Sequence, residues 1–522
     1  MTDRTDYQDG LAALEARDLE RAAAAFARAV AADPADSEAR TRLANAYRDL
    51  RRLDEAEREI RAVVAARPQD AKAHSALGVI LTESGRPAEA VAAYEAAMAA
   101  DSTYVTAASN WLNAQQYVPG ATDESLARAH ARWAQLHAPP TPSPAFSNPP
   151  IKQRPIVVGF VSPDLAQHPV GRLSVKLLEN LRNSGLVPVV FSNRPAEAED
   201  DLSRRIARHS RWSSVYSLSD TSLTAFIKQA KIDILVDMCG HTGHNRAKVF
   251  AGRAAPVQAA WLGYPSTTGI PAMDYMIATD ALAPPGFDDH AVEKIVRLTG
   301  SHVCFEPPQD APSVAPRPAE KNGFITFGCF NNPAKVSDDA LAAFAGILAR
   351  VPDSRIRFHY QTMSAPGLQA RFRETLSRHG IAAERIAFAA ESTRTDFLAG
   401  YGAVDIALDS FPYSGCMTTC EALWMGVPVV TFRGPLMAGR QSAGILEAAG
   451  VRELIAADRS GFEDLAVKLA QTKHQLILLR TGLRSRLATS PLCDTPLFTR
   501  EFVGALREMW TAWCEKQPAQ GG

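Results

Sequence analysis

Residues 404–432 read VDIALDSFPYSGCMTTCEALWMGVPVVTF. The apolar run VDIALD (404–409) is strand-like, SFPYSGCMTTCEALW (410–424) passes through a glycine-containing turn into a helix starting near Thr418, and VPVVTF (427–432) is a second strand-like run. A strand, a helix and a strand in succession make a βαβ unit, which calls for a parallel sheet with helices on its faces. The same alternation runs upstream through FITFGCF (324–330), RIRFHY (355–360) and RIAFAA (385–390). A separate series comprises PIVVGFV (155–161), the helical RLSVKLLENLRNSG (172–185), VPVVFS (187–192), IDILVDM (232–238) and PVQAAWL (256–262). Between the two lies PPQDAPSVAPRPAEKN (307–322), a composition break suited to a hinge. The expectation is two doubly wound, Rossmann-like halves around a cleft.

Ligands of open α/β sheets sit beyond the carboxyl ends of the strands, so polar residues just after each strand carry the most weight. After the first strand come Asp164 and His168; after IDILVDM come His241 and Thr242; after FITFGCF come Asn332 and Lys335. The helix start at Met417, Thr418 and Thr419 presents free N–H groups and a positive dipole end to an anion such as a diphosphate. Glu421 stands where an acidic residue accepts hydrogen bonds from a ribose diol, although Thr418-x-x-Glu421 equally reads as a capping box that needs no ligand. Lys335 can neutralise phosphate as a point cation, or be a solvated loop lysine. His168 and His241 are proton-transfer candidates because histidine titrates near neutrality; the plain alternative is a loop histidine bonded to backbone. Neither G-x-x-x-x-G-K-[ST] nor a G-x-G-x-x-G after the first strand occurs, which weakens phosphate-loop and dinucleotide readings. No D-x-D pair occurs to clamp a metal on a diphosphate, and no metal site is expected.

The first third has a different period. Pro34 and Pro68 recur at 34 residues, with Ser102 at the next step; Gly10, Ala44 and Gly78 form a small column, Ala22, Ala56 and Ala90 a second, and Phe26, Ile60 and Tyr94 a bulky one. That is the tetratricopeptide period, for three units over about residues 5–104, with one or two capping helices to residue 137. Stacked helix pairs offer a concave surface to extended polypeptide. APPTPSPAFSNPPIKQRP (138–155) cannot continue a helix and reads as a stiff connector.

Composition narrows the function class. The 522 residues are 46% apolar and 22% charged, with 56 Lys plus Arg against 57 Asp plus Glu and a net charge of -1, so no polyanion-binding surface is indicated and no nucleic-acid partner is expected. No apolar run approaches the roughly 20 residues that span a bilayer, and the amino-terminal MTDRTDYQDG is polar; the expectation is a soluble, cytoplasmic protein without a membrane partner. Seven cysteines (Cys239, Cys304, Cys329, Cys416, Cys420, Cys493, Cys514) include no C-x-x-C pair, so neither a disulfide framework nor a structural zinc is expected.

Four blocks, GFVSPDLAQHPVGRL (159–173), ILVDMCGHTGHNRAKVFAGRAAPVQAAWLGYPSTTGIPAMDY (234–275), NNPAKVSDDALAAFAGILARVPDSR (331–355) and DSFPYSGCMTTCEALWMGVPVVT (409–431), resemble the catalytic region of O-linked N-acetylglucosaminyltransferases and SPINDLY-type proteins, which also carry amino-terminal tetratricopeptide repeats. The resemblance implies an α-helical TPR superhelix (1–137), a Pro-rich linker (138–155) and an α/β GT-B fold. In that fold 156–315 is the acceptor side, 316–490 the nucleotide-sugar side, and 491–522 ends in a helix packing back on the catalytic region. It implies metal-independent, inverting transfer of a sugar, foremost N-acetylglucosamine from UDP-N-acetylglucosamine, to Ser or Thr hydroxyls of a protein presented by the repeats, with no further cofactor. By position, His168 falls at the family's cleft histidine and Lys335 at the lysine holding the donor phosphates. Met417, Thr418 and Thr419 fall on the diphosphate loop, Glu421 on the ribose-binding acid, and Leu262 and Gly263 near the donor sugar, with His241 in the adjacent loop.

Two departures keep the donor open. Arg394 and Phe397 stand where the N-acetylglucosaminyltransferases place a lysine and a histidine against the base, and Cys416 replaces the histidine before the two threonines. SPINDLY-type proteins share the scaffold and use GDP-fucose, so protein O-fucosyl transfer is one alternative; an adaptor with a silent cleft is another. Homo-oligomer formation through the repeats is also left open.

Overall fold

The structure is a computed structural model that describes residues 4–139, 144–390 and 393–518. Residues 140–143 of the Pro-rich stretch and Ser392 of the STRTDFLAG segment lie outside the described residues.

Helices Thr5–Glu15, Leu19–Ala32, Ser37–Asp49, Leu53–Ala66, Ala71–Glu83 and Pro87–Ala100 stack as three hairpins. The repeat columns have direct physical causes. A Cβ on Gly10 would come within 2.5 Å of the Phe26 ring, and one on Gly78 within 2.5 Å of the Tyr94 ring, so the small column exists to admit the bulky one. Asp36 and Asp70, one period apart, each accept two N–H groups of the next helix, satisfying donors the helix itself leaves free. Helices Val105–Gln115 and Asp123–His137 complete the array, the second opened by a reciprocal cap between Thr122 and Ser125.

The array is fused to the α/β region that it precedes in the chain. One buried apolar cluster runs through Leu112 and Trp133 of the helices and Val161, Phe191, Leu235 and Phe250 of the first α/β domain. The described part of the Pro-rich stretch is tied down rather than acting as a spacer. Asn148 and Arg154 both donate to the buried Asp233 carboxylate, at 2.8 and 2.6 Å, and the Ile151 carbonyl accepts from the Trp510 indole.

The first α/β domain is built on a seven-stranded parallel sheet of β1 (Ile156–Ser162), β2 (Leu186–Ser192), β3 (Arg211–Ser214), β4 (Ile234–Asp237), β5 (Val257–Ala260), β6 (Tyr275–Thr279) and β7 (Lys294–Leu298) in the order β3-β2-β1-β4-β5-β6-β7. A second parallel sheet contains β8 (Thr326–Cys329), β9 (Arg355–His359), β10 (Ile386–Ala389), β11 (Ile406–Leu408), β12 (Val429–Phe432) and β13 (Ile455–Ala456) in the order β10-β9-β8-β11-β12-β13. Central strands are buried on both faces, as helices on either side of a parallel sheet require. These are the two Rossmann-like domains of a GT-B fold behind a tetratricopeptide array. Strand order reverses between β1 and β4 and again between β8 and β11, and such switch points open a crevice at the strand ends. The helix Thr495–Glu515 returns to the first sheet, burying Phe502 and Trp510, with the Phe502 and Trp261 rings 4.7 Å apart. Among the described residues no helix is long and apolar enough to cross a membrane.

Candidate active-site cleft

A cleft of about 590 Å³ is lined on one side by loops after β1, β4 and β5 and on the other by loops after β8 to β12. Its charged lining among the described residues is Arg172, Lys335 and Arg394, with His168, against the single carboxylate of Glu421. Such a balance suits an anionic ligand.

Lys335 ends a short turn, Pro333–Lys335, that Asn332 caps by accepting from Ala334 N at 3.0 Å. Its ammonium lies 3.9 Å from the centre of the Tyr413 ring and donates to the Ser414 carbonyl at 3.1 Å. Burial pushes this amine down to about 8, so it stays mostly protonated at neutral pH while being poorly solvated, the state in which a phosphate partner is worth most. The loop beneath it is organised by Asp409 at the end of β11, which accepts from Asn331, Ser410 N, Gly415 N and Thr431. From that loop the chain enters helix Met417–Trp424, where Cys416 supplies no side-chain cap. The first-turn N–H groups at Met417 and Thr418 are therefore left for a ligand in the cleft.

Glu421 sits one turn into that helix, 2% exposed, and accepts from Arg394 Nη1 at 2.8 Å. Arg172 reaches across from the first domain to 3.9 Å of the same oxygen. Burial outweighs the Arg394 pairing and pushes the carboxyl up to about 7. Phe397 lines the cleft beside this pair, edge-on to Phe330 at 5.6 Å.

His168 is the N-cap of helix Pro169–Asn180: Nδ1 accepts from Val170 N–H at 3.3 Å. In the neutral ring that bond places the proton on Nε2, so His168 is held as a donor at that atom. Asp164 stands 3.8 Å from Nδ1, too far for a hydrogen bond, and burial pushes the histidine down and the aspartate up. Leu262 has φ 75°, a conformation costly for leucine, and a Cβ on Gly263 would fall 1.9 Å from the Met238 carbonyl. This tight turn brings the backbone after β5 to the cleft wall.

Residues 132–305 and 318–502 match the model of glycosyl transferase family 41, and residues 13–80 and 71–104 match tetratricopeptide repeat models. The chain belongs to glycosyl transferase family 41. It is 36% identical over 431 residues to a rice protein (Oryza sativa subsp. japonica) named probable UDP-N-acetylglucosamine–peptide N-acetylglucosaminyltransferase SPINDLY, covering 81% of this chain and 46% of that one. To the Arabidopsis thaliana protein of the same class named SEC it is 28% identical over 418 residues, covering 76% and 42%. The chain thus spans about half the length of the curated relatives it matches. A solved lysine-to-methionine mutant of Thermobaculum terrenum O-GlcNAc transferase superposes with a TM-score of 0.92 at 34% identity, covering 98% of both chains.

Within this family 41 cleft the fold gathers His168, Thr242, Leu262, Gly263, Asn332, Lys335, Arg394, Phe397, Met417, Thr418 and Glu421. Three expected residues are not among its lining. His241 is fully buried, its Nε2 2.7 Å from the Thr268 carbonyl and its ring 4.5 Å from Trp133, because helix Asp123–His137 covers the loop after β4. Burial pushes this histidine to about 3, which keeps it neutral. Thr419 points away from the cleft to Ser442 Oγ at 2.7 Å, and Asp164 lies behind His168. The capping-box reading also fails: the helix begins at Met417, Thr418 donates to Asn331, and Glu421 is held by Arg394. Arg172, Tyr360, Tyr413 and Gln441 line the cleft without having been singled out. Arg172 and Tyr413 lay within the motif blocks; Tyr360 and Gln441 carried no signal. Among the described residues no cluster of three or more His, Cys, Asp or Glu side chains is arranged for a metal ion.

Proposed function

We propose that the cleft transfers a sugar from a nucleoside diphosphate sugar to Ser or Thr hydroxyls of a polypeptide, with UDP-N-acetylglucosamine as the donor and UDP as the leaving group. The observation that carries this reading is the convergence of Lys335, the uncapped start of helix Met417–Trp424 and two arginines on one cleft. The name borne by the SEC relative supports the same donor, and that of the Thermobaculum relative the same sugar. In this reading the acceptor oxygen attacks the anomeric carbon opposite the diphosphate, the bond to the phosphate oxygen breaks with its electron pair, and the configuration inverts. Lys335 and the helix N–H groups stabilise that leaving charge in a preorganised setting, without a metal ion. His168 orients the acceptor hydroxyl from Nε2 in the tautomer that Val170 N–H favours; in the other tautomer, with Nδ1–H turned to Asp164, Nε2 takes the hydroxyl proton as the new bond forms. The helical array presents the acceptor segment.

A second reading is favoured by one observation. Arg394 and Phe397 both line the cleft, and the guanidinium N–H groups of Arg394 beyond the one given to Glu421 match the O6 and N7 acceptors of guanine, which makes a GDP sugar such as GDP-fucose the competing donor. Thermal unfolding with UDP, GDP and their sugar conjugates separates the readings. A ligand at 100 times its dissociation constant stabilises by about 2.7 kcal/mol. A UDP-selective shift that shrinks in Lys335→Ala supports the first reading, a GDP-selective shift the second, and no shift with either nucleotide defeats both and leaves the adaptor.

A further inference from the structure

The ring that carries Lys335 belongs to a stack begun by the helical array. Tyr117, in the turn after helix Val105–Gln115, stacks on Tyr413 with centroids 5.1 Å apart and planes 14° from parallel. Tyr413 also packs against a cluster of Ala121 and Leu126 from the array and Leu436 and Ala438 from the second domain. The same segment of the array is fastened to that domain: Asp123 accepts from Arg440 Nη2 at 2.7 Å and from Met437 N at 3.0 Å. Lys335 itself is a long side chain on a flexible stem, so the aim of its ammonium depends on what that ammonium touches. Among the described residues those contacts are the Tyr413 ring and the Ser414 carbonyl, with Cys416 and Asp409 the titratable groups that act on the amine from the same loop.

We propose that Tyr117 is a positioning residue for Lys335, acting through the Tyr413 ring, so that the helical array is part of the donor-phosphate site as well as a platform for the acceptor. The stack sets the plane of Tyr413, and the negative face of that ring holds the ammonium where a diphosphate would meet it. A protein with the array intact but the stack broken keeps its acceptor surface and loses its aim at the donor. The effect on turnover rests on the reading of Lys335 given above; the geometry of the stack does not.

The test uses the full chain, with Tyr117→Leu, Tyr117→Phe and Lys335→Ala beside the native protein. Competitive acetylation read by peptide mass spectrometry, in donor-free protein, follows the titration of the Lys335 amine. In the native protein the midpoint is expected near 8, where burial holds it. Tyr117→Leu lets the ring tilt and water reach the amine, so the midpoint rises by about one unit or more, and turnover falls about tenfold with the acceptor KM within about twofold. Tyr117→Phe keeps the stack and restores both values. A midpoint unchanged in Tyr117→Leu, or a Tyr117→Phe variant as defective as Tyr117→Leu, overturns the proposal. If Lys335→Ala retains turnover, the donor reading of Lys335 fails, while the amine titration still decides whether Tyr117 positions it.

Discussion

The loops after β1 and β4 end neighbouring strands of one sheet, and each carries a histidine. His168 has a side chain 46% exposed at the mouth of the cleft, whereas His241 is fully buried under helix Asp123–His137, with His130 and Trp133 against it. The residue type and its place after a strand are the same. What differs is coverage by a distant element: the array closes over β4 and leaves β1 open. A histidine after a strand lines the cleft only where nothing else packs on it, and exposure alone is not enough, since His244, exposed on the same loop as His241, is absent from the lining. The buried one is part of the joint between array and α/β region, through His130 Nε2 at 2.9 Å from the Tyr264 hydroxyl and His241 Nδ1 at 3.3 Å from Ser109 Oγ.

Trp133→Ala should break the joint hardest. Losing so large a buried ring costs roughly 3–5 kcal/mol, measured by chemical denaturation, with nucleotide affinity of the remaining folded protein unchanged. A parallel loss of nucleotide affinity would show that joint and cleft are not separable. Lys335→Ala should act in the opposite sense, lowering turnover by roughly 100- to 1,000-fold, about 2.7–4 kcal/mol of transition-state stabilisation, at nearly native stability. Equal losses of turnover and stability would remove the contrast.

Acid should act on the joint as a loss of stability, while in the cleft it protonates Glu421, which burial already holds at about 7. Burial holds His130 at about 4 and His241 at about 3, below the ordinary 6.5 of an unfolded histidine. Below pH 6.5 the unfolded chain binds protons that the native chain refuses, so stability present above 6.5 is lost as the pH falls toward 4 and 3. At pH 5 the loss is on the order of 2 kcal/mol for each histidine. Denaturation midpoints between pH 7 and 5 check this, and His130→Gln should flatten the slope by about a third, because His302, buried and also held at about 4, contributes beside His241. The cleft has the smallest effect, at the alkaline side. Lys335 loses its proton near 8, so nucleotide diphosphate affinity should fall by up to about tenfold per pH unit above that value. Calorimetric titration at pH 7, 8 and 9 measures it; a flat profile would mean the amine does not meet the phosphates.

Much of the fold was readable from local pattern, because both periods are local. The 34-residue columns require only that Gly10 face Phe26 and Gly78 face Tyr94, and the βαβ units require only that short apolar runs alternate with helices. Lys335 and the Met417 helix start were readable for the same reason, since each lies a few residues past a strand end at a switch point. Arg172 and Tyr413 lie inside the motif blocks yet carry no local mark of their place in the cleft, because a motif does not say which of its side chains crosses it.

By itself, then, the sequence of this protein determined its repeats, its two parallel sheets and the loops that face the crevice. Those arise from hydrogen-bonding periods and from the placement of glycine, proline and polar residues along a few turns of chain. Only the tertiary structure decided that His241 is a buried joint, that Thr419 turns away to Ser442, that Glu421 is held by Arg394, and that Tyr117 lies under the ring beside Lys335. Each of these depends on a partner beyond the local stretch of chain, and that partner sets where the side chain reaches.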